Sequence, residues 1–358
     1  MLNTKIFSDL IGRGVKGATN MGQVMERAGI NFTVSKQPIA LCTVTDRDDK
    51  GRPTAWGHAQ DADGSPLVVP DRYAVVRDDS GAPLPGCIVG SSFTLLQQAQ
   101  ALAPFDALVE RGILAYDAAG QTRGGARIWV KATIPSLDAR PVGRASVGDT
   151  ISAFVMLGYG HGDGKGVSVT AVTERLICDN GACARKLSAK TIRHHAGVAA
   201  DMAQAVFDVD SVAAQLAKDA ERWSALTECY VADDESILNY LSAVWCEEPS
   251  EVASGRKIER IGALFGGPGR GGKIGDAIGA NMPTARGTMW GLFQALSQHY
   301  THEHGRSAET RTEARVWGET AKVLQRGIDV AYAMGVLGTD AAELRAMDAV
   351  EVAALVAN

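Results

Sequence analysis

The order of apolar and polar positions changes character about halfway along the chain. Residues 39–45, 72–77 (RYAVVR) and 86–90 (GCIVG) are short runs rich in Val and Ile, separated by turn clusters such as DDKGRP and DADGSP. That is the pattern of strands joined by turns. Strands are predicted again at 113–117, 126–134, 150–158 and 167–177, where AAGQTRGG and GYGHGDGKG supply the glycine and polar residues of hairpin loops. Short links between successive strands favour an antiparallel sheet. Between the two groups, Leu95, Leu96, Leu102, Phe105 and Val109 keep helical spacing over 94–110, and Pro104 is expected to kink or divide that helix. The first 35 or so residues read as short helical pieces, with Gly29 placed as a C-cap.

After Cys178 the periodicity becomes helical, over 196–229, 235–246, 284–303, 312–335 and 340–356, with a glycine-rich break at 266–272. In 284–303, Met289, Leu292, Phe293, Leu296 and Tyr300 form a core stripe, and Trp290 lies beside it. The expected fold is α+β, with an antiparallel sheet and packed helices in the first half and a helical second half. Its divisions are an N-terminal helical segment (1–35), a strand-rich α+β core domain (36–200) and a helical region (201–358).

Composition adds little to that frame. With 358 residues, 46% hydrophobic and 22% charged, the chain can bury a sizeable core. It has no apolar run long enough to span a bilayer and no N-terminal h-region, so the sequence reads as cytoplasmic, without a membrane partner. Six scattered cysteines suit reduced thiols better than a disulfide framework.

Charge changes the picture more. Side chains alternate across a strand, so in 126–134 the residues Ile128, Val130, Ala132 and Ile134 share one face, and Arg127, Trp129, Lys131 and Thr133 the other. Two cations around a large flat ring could hold phosphates and stack a base. Although the formal net charge is −5, three segments are basic. The first holds Arg123, Arg127, Lys131, Arg140 and Arg144 against Asp138; the second holds Arg185, Lys186, Lys190 and Arg193, followed by His194 and His195. The third holds Arg256, Lys257, Arg260, Arg270 and Lys273 against Glu259. A polyanion is the expected partner of such segregated charge.

Other motifs are weaker. GPGRGGK at 267–273 satisfies a P-loop spacing, but Ile274 replaces the Ser or Thr that ligates magnesium, and Pro268 removes a cradling N–H. Cys178 and Cys183, with His194 and His195 downstream, are zinc-type ligands in no established zinc spacing, and His299 and His302 are an i, i+3 pair. No catalytic fingerprint is present, and neither a catalytic residue nor a cofactor or metal is assigned.

The segments VPDRYAVVRDDSG (69–81), IVGSSFTLLQ (88–97), TRGGARIWVKATIP (122–135), ERLICDNGA (174–182), TIRHHAGV (191–198) and GTMWGLFQALSQHYTHEHGR (287–306) resemble the phage/plasmid-like proteins that carry the domain of unknown function 932 (DUF932). The chain departs from that family's pattern at Gln294-Ala295, where the family has Asn-Ala. The resemblance implies a role in mobile-DNA replication, recombination or defence, and brings no catalytic residues with it. A distant relation to Rad52-like single-strand annealing proteins, which act as oligomeric rings, fits the strand-rich half.

The expected function is therefore non-enzymatic binding of single-stranded DNA by a homo-oligomer, in annealing or recombination. Arg123, Arg127, Lys131, Arg185, Lys186, Lys190, Arg193, Arg256, Lys257, Arg260, Arg270 and Lys273 would track phosphates, and Trp129 would stack on bases. The alternatives are a metal- or nucleotide-dependent enzyme acting on nucleic acid, and a structural or host-interaction protein of a mobile element.

Overall fold

The computed structural model describes residues 12–137, 139–143, 150–162, 164, 166–175, 189–192, 209–253, 255–266, 285–305 and 307–357. The fold is α+β, with antiparallel sheets in the first half and helices in the second. The strands are β1 (Gly12–Gly14), β2 (Val34–Ala40), β3 (Cys42–Arg47), β4 (Pro53–His58), β5 (Val68–Arg77), β6 (Pro83–Gly90), β7 (Ala115–Thr122), β8 (Arg127–Thr133), β9 (Arg140–Pro141), β10 (Thr150–Gly160), β11 (Val167–Arg175) and β12 (Ala189–Ile192). The main antiparallel sheet runs β1-β7-β8-β10-β11-β12, with β9 paired to β10. A second sheet has the order β2-β5-β6, and β3 and β4 form a two-stranded hairpin.

Two helices accompany the strands, α1 (Met21–Ala28) and α2 (Gln98–Glu110). Asn20 caps α1 by accepting from the Gln23 N–H, and Gly29 ends it in the left-handed conformation, φ 68°; only glycine adopts that conformation without a Cβ penalty. The Asp106 carboxylate of α2 accepts from the Met21 N–H and the Tyr116 hydroxyl, both at 2.6 Å, so one side chain ties α1, α2 and β7 together. Where the sequence predicts a break at Pro104, α2 continues to Glu110. Its neighbours Ala101, Leu102 and Phe105 are buried, and that packing outweighs the local penalty of proline.

The helical half comprises α3 (Val209–Leu226), α4 (Asp234–Trp245), α5 (Pro249–Ala253), α6 (Arg256–Phe265), α7 (Met289–Gln298), a π turn (His299–Glu303), α8 (Ala308–Trp317), α9 (Glu319–Gly335), α10 (Ala341–Ala346) and α11 (Ala349–Ala357). Helix α7 is buried along its whole length. Trp290 stacks on Trp223 of α3 at 5.4 Å, and Gly327 lets α9 approach so closely that a Cβ there would lie 2.6 Å from Leu296. The predicted helix at 312–335 is two helices, because the chain extends at Gly318, and the one at 340–356 is broken at Met347. Helices α5 and α6 were not anticipated from the sequence. Among the described residues no helix is long and apolar enough to cross a membrane.

Candidate nucleic-acid interface

Strand β8 forms over Arg127–Thr133 with the alternation its sequence predicts. Ile128, Val130 and Ala132 enter the main core. The opposite face does not meet solvent: Trp129 is 0% and Lys131 1% exposed. This corrects the expectation that the two residues form an open phosphate and base platform. The register supplies the reason. Trp129 lies between Gly120 of β7 and Gly158 of β10, and a Cβ at Gly12 of β1 would collide with its indole ring. Glycines on neighbouring strands thus leave the volume that the ring fills.

A β-bulge between Tyr116 and Ala118 sets Asp117 beside Lys131, a typical use of an extra residue in a strand. The Lys131 Nζ lies 3.6 Å from Asp117 Oδ2 and 3.8 Å from the centre of the Phe154 ring. Lys16, itself 60% exposed, approaches the other oxygen of Asp117 at 3.3 Å. The Lys131 ammonium is therefore compensated inside the protein.

Arg127 and the backbone of Arg123 are also engaged internally. Glu313 of α8 accepts a hydrogen bond from the Thr122 hydroxyl at 2.7 Å and lies 3.4 Å from Arg127 Nη1. One helical turn earlier, Glu309 accepts from the Arg123 backbone N–H. An i, i+4 acidic pair on α8 thus clasps the turn between β7 and β8.

The third basic segment differs. Arg256 and Lys257 are exposed in the first turn of α6, and no side chain caps that turn, since its N-cap is Gly255. A helix N-terminus presents N–H groups and a partial positive charge. Two cations there are unfavourable for the helix alone but complete an anion-binding arrangement. Lys257 lies over the ring of half-buried Trp245 at 5.4 Å, and the Trp245 Nε1–H donates to the Tyr300 hydroxyl at 3.0 Å. Arg260, one turn on, is held by Glu303 of the π turn through bonds of 2.8 and 2.5 Å.

Glu303 also reaches His299 Nδ1, at 3.3 Å. Burial pushes the imidazole below its ordinary pKa, against the opposing pull of Glu303. Burial raises the Glu303 carboxyl, but the bonds to Arg260 and His299 outweigh it and hold the group below its usual range. The Tyr300 phenol is pushed up by burial, with the Trp245 bond opposing. Among the described residues, the buried His299 Nε2 has no hydrogen-bond partner. A π turn at such a cluster is notable, because these turns occur often at functional sites.

Lys190 lies on β12, paired opposite Val169 at the end of the main sheet. Arg185, Lys186, Arg193, Arg270 and Lys273 lie outside the described residues, as do Cys178, Cys183, His194 and His195. Among the described residues no group of three or more His, Cys, Asp or Glu side chains could hold a metal ion. The structure brings Arg256, Lys257 and Arg260 together on one helix. Sequence reasoning missed Trp245, Tyr300 and Glu303 as partners of this segment, and only the EEPSE stretch between α4 and α6 hinted at a helix start nearby.

No curated protein and no solved structure matches the chain. A family model described as a domain of unknown function (DUF932) matches residues 87–324, or 238 of the 358 residues. The matched region begins within β6 and ends within α9, so it holds β8, the clasp from α8 and the whole α6 cluster. The chain belongs to the DUF932 family.

Proposed function

We propose that this protein binds single-stranded DNA without enzymatic turnover, in annealing or recombination linked to phages or plasmids, and that it contacts phosphates at the start of α6. The observation that carries this reading is the uncapped first turn of α6 with exposed Arg256 and Lys257 beside Trp245. The sequence adds Arg270 and Lys273 shortly after the same helix. Glu247, Glu248 and Glu251 lie just upstream in the sequence. A short cationic stretch suits a flexible single strand better than the broad face of a duplex.

Fluorescence anisotropy with a labelled oligonucleotide, titrated across salt concentrations, tests the proposal. Each neutralised phosphate contributes about −0.7 to the slope of log K against log salt for a single strand. Arg256→Ala/Lys257→Ala should therefore flatten the slope by about 1.4 if each cation meets one phosphate. No binding by the wild type at low salt removes the function, and an unchanged slope in the variant removes the site.

One observation favours an enzyme acting on nucleic acid: Glu303 orients His299, whose buried Nε2 has no partner among the described residues, the disposition of a general base. Nuclease assays with added divalent metal, comparing wild type with His299→Ala, separate the readings. Turnover that disappears in the variant while affinity persists would select the enzyme.

A further inference from the structure

Residues 41–68 form an arm with no core of its own. Strands β3 and β4 have almost no buried positions, and every residue from 60 to 68 is exposed. Backbone bonds among Leu41, Ala59 and Leu67 close the base of the arm, where the chain leaves β2 and enters β5. Its turns are nonetheless firmly built. Asp48 accepts from the N–H groups of Lys50 and Arg52 and from the Arg52 guanidinium, and Asp61 accepts from the N–H groups of Asp63 and Ser65.

Large apolar groups lie in the open along this arm. Trp56 is 62% exposed beside Val44, its cross-strand partner, and Leu41, Leu67 and Val68 are each at least 40% exposed. A two-stranded hairpin alone is marginal in water, and an ordered hairpin displaying a tryptophan calls for a covering surface. The arm lies outside the region matched by the family model.

We infer that the arm is a homo-oligomerisation surface, and that the outer edge of β3 pairs with the same edge of a second copy of this chain. Three observations select that occupant. Strand β3 carries Thr43, Val44 and Thr45 in succession, a β-branched run with no proline, and an open edge of this kind is a template for strand pairing. Strand β4 is less suited, because it starts at Pro53 and contains Gly57.

Charge is the second. Asp46, Asp48, Asp49, Asp61 and Asp63 outnumber Arg47, Lys50 and Arg52, which disfavours a polyanion. The alternation of sign along 46–52 lets two antiparallel copies set cations against acids. Symmetry is the third, because a two-fold pairing of identical edges closes without leaving an open filament.

The test is the mass of the full chain by analytical ultracentrifugation, from about 1 to 100 μM, a span that brackets ordinary dimer affinities. Two variants accompany the wild type: Trp56→Asp, which charges the apolar strip, and Thr45→Lys, which places a lysine on the edge strand. Far-UV circular dichroism identifies folded samples. The expected result is a wild type of at least twice the monomer mass, and a folded monomer for either variant. A wild type that stays monomeric throughout the range overturns the inference. So does a folded variant, of either kind, whose mass distribution equals that of the wild type.

Discussion

Lys131 and Trp129 illustrate how neighbours redirect a residue's chemistry. The ammonium of Lys131 sits between the Phe154 ring and the Asp117 carboxylate, at a separation from the carboxylate that makes the attraction Coulombic rather than a hydrogen bond. Deleting one member of a buried pair leaves the other uncompensated, at about 3–5 kcal/mol. Lys16 stays near Asp117, so Lys131→Ala should fall near the lower end of that range. Trp129→Ala removes a fully buried indole and should destabilise by about 3–5 kcal/mol. Urea denaturation reads both as a lowered midpoint. Two variants with wild-type midpoints and weakened DNA binding would show instead that this face is open to ligand. The strand and its alternation were legible in the sequence. The covering of its second face was not, because the glycines that accommodate Trp129 stand at positions 12, 120 and 158 and become neighbours only once the strand order is known.

Among the elements, the π turn shows most clearly what periodicity misses. The sequence predicts one helix through 303, whereas the regular helix stops at Gln298 and the chain widens so that the His304 N–H donates to the His299 carbonyl. That widening sets His299 and Glu303 against Arg260 of α6. Both groups have folded-state pKa values below their ordinary ones. A depressed pKa means that the unfolded chain binds the proton more readily, so its contribution to stability is complete above the unfolded value and is lost as pH falls. Stability should therefore decline below about pH 6.5 through His299 and decline further below about 4.5 through Glu303. His299→Gln should remove the first phase and keep the second. Thermal unfolding between pH 4 and 8 checks this, and an identical profile in the variant would exclude His299 as the source. Helix starts were better signalled: Asn20, Asp233 and Ser307 each cap the helix that follows. The first turn of α6 has no capping side chain, and that absence hid the helix and marks its site.

At the scale of the molecule, α8 joins the halves by placing Glu309 and Glu313 on the turn between β7 and β8, some 186 and 191 residues away in sequence. Glu309→Ala/Glu313→Ala would strand the Arg123 N–H and the Thr122 hydroxyl. A lost hydrogen bond that leaves a buried group unsatisfied costs about 1–3 kcal/mol, and the exchange of the Thr122 and Arg123 amides should quicken with it. Hydrogen-exchange mass spectrometry resolves that turn; protection equal to the wild type would show that the clasp is not what holds it.

By itself the sequence determined the α+β class, the antiparallel pairing, the arrangement of strands before helices and the family, because these follow from local periodicity, short loops and contiguous motifs. Only the tertiary structure decided which cations are available to a ligand. Residue type is the same for Lys131 and Lys257, yet one faces Asp117 within the sheet and the other is exposed at a helix start. Whether a charge is neutralised depends on residues distant in sequence, which strand order and helix packing bring together.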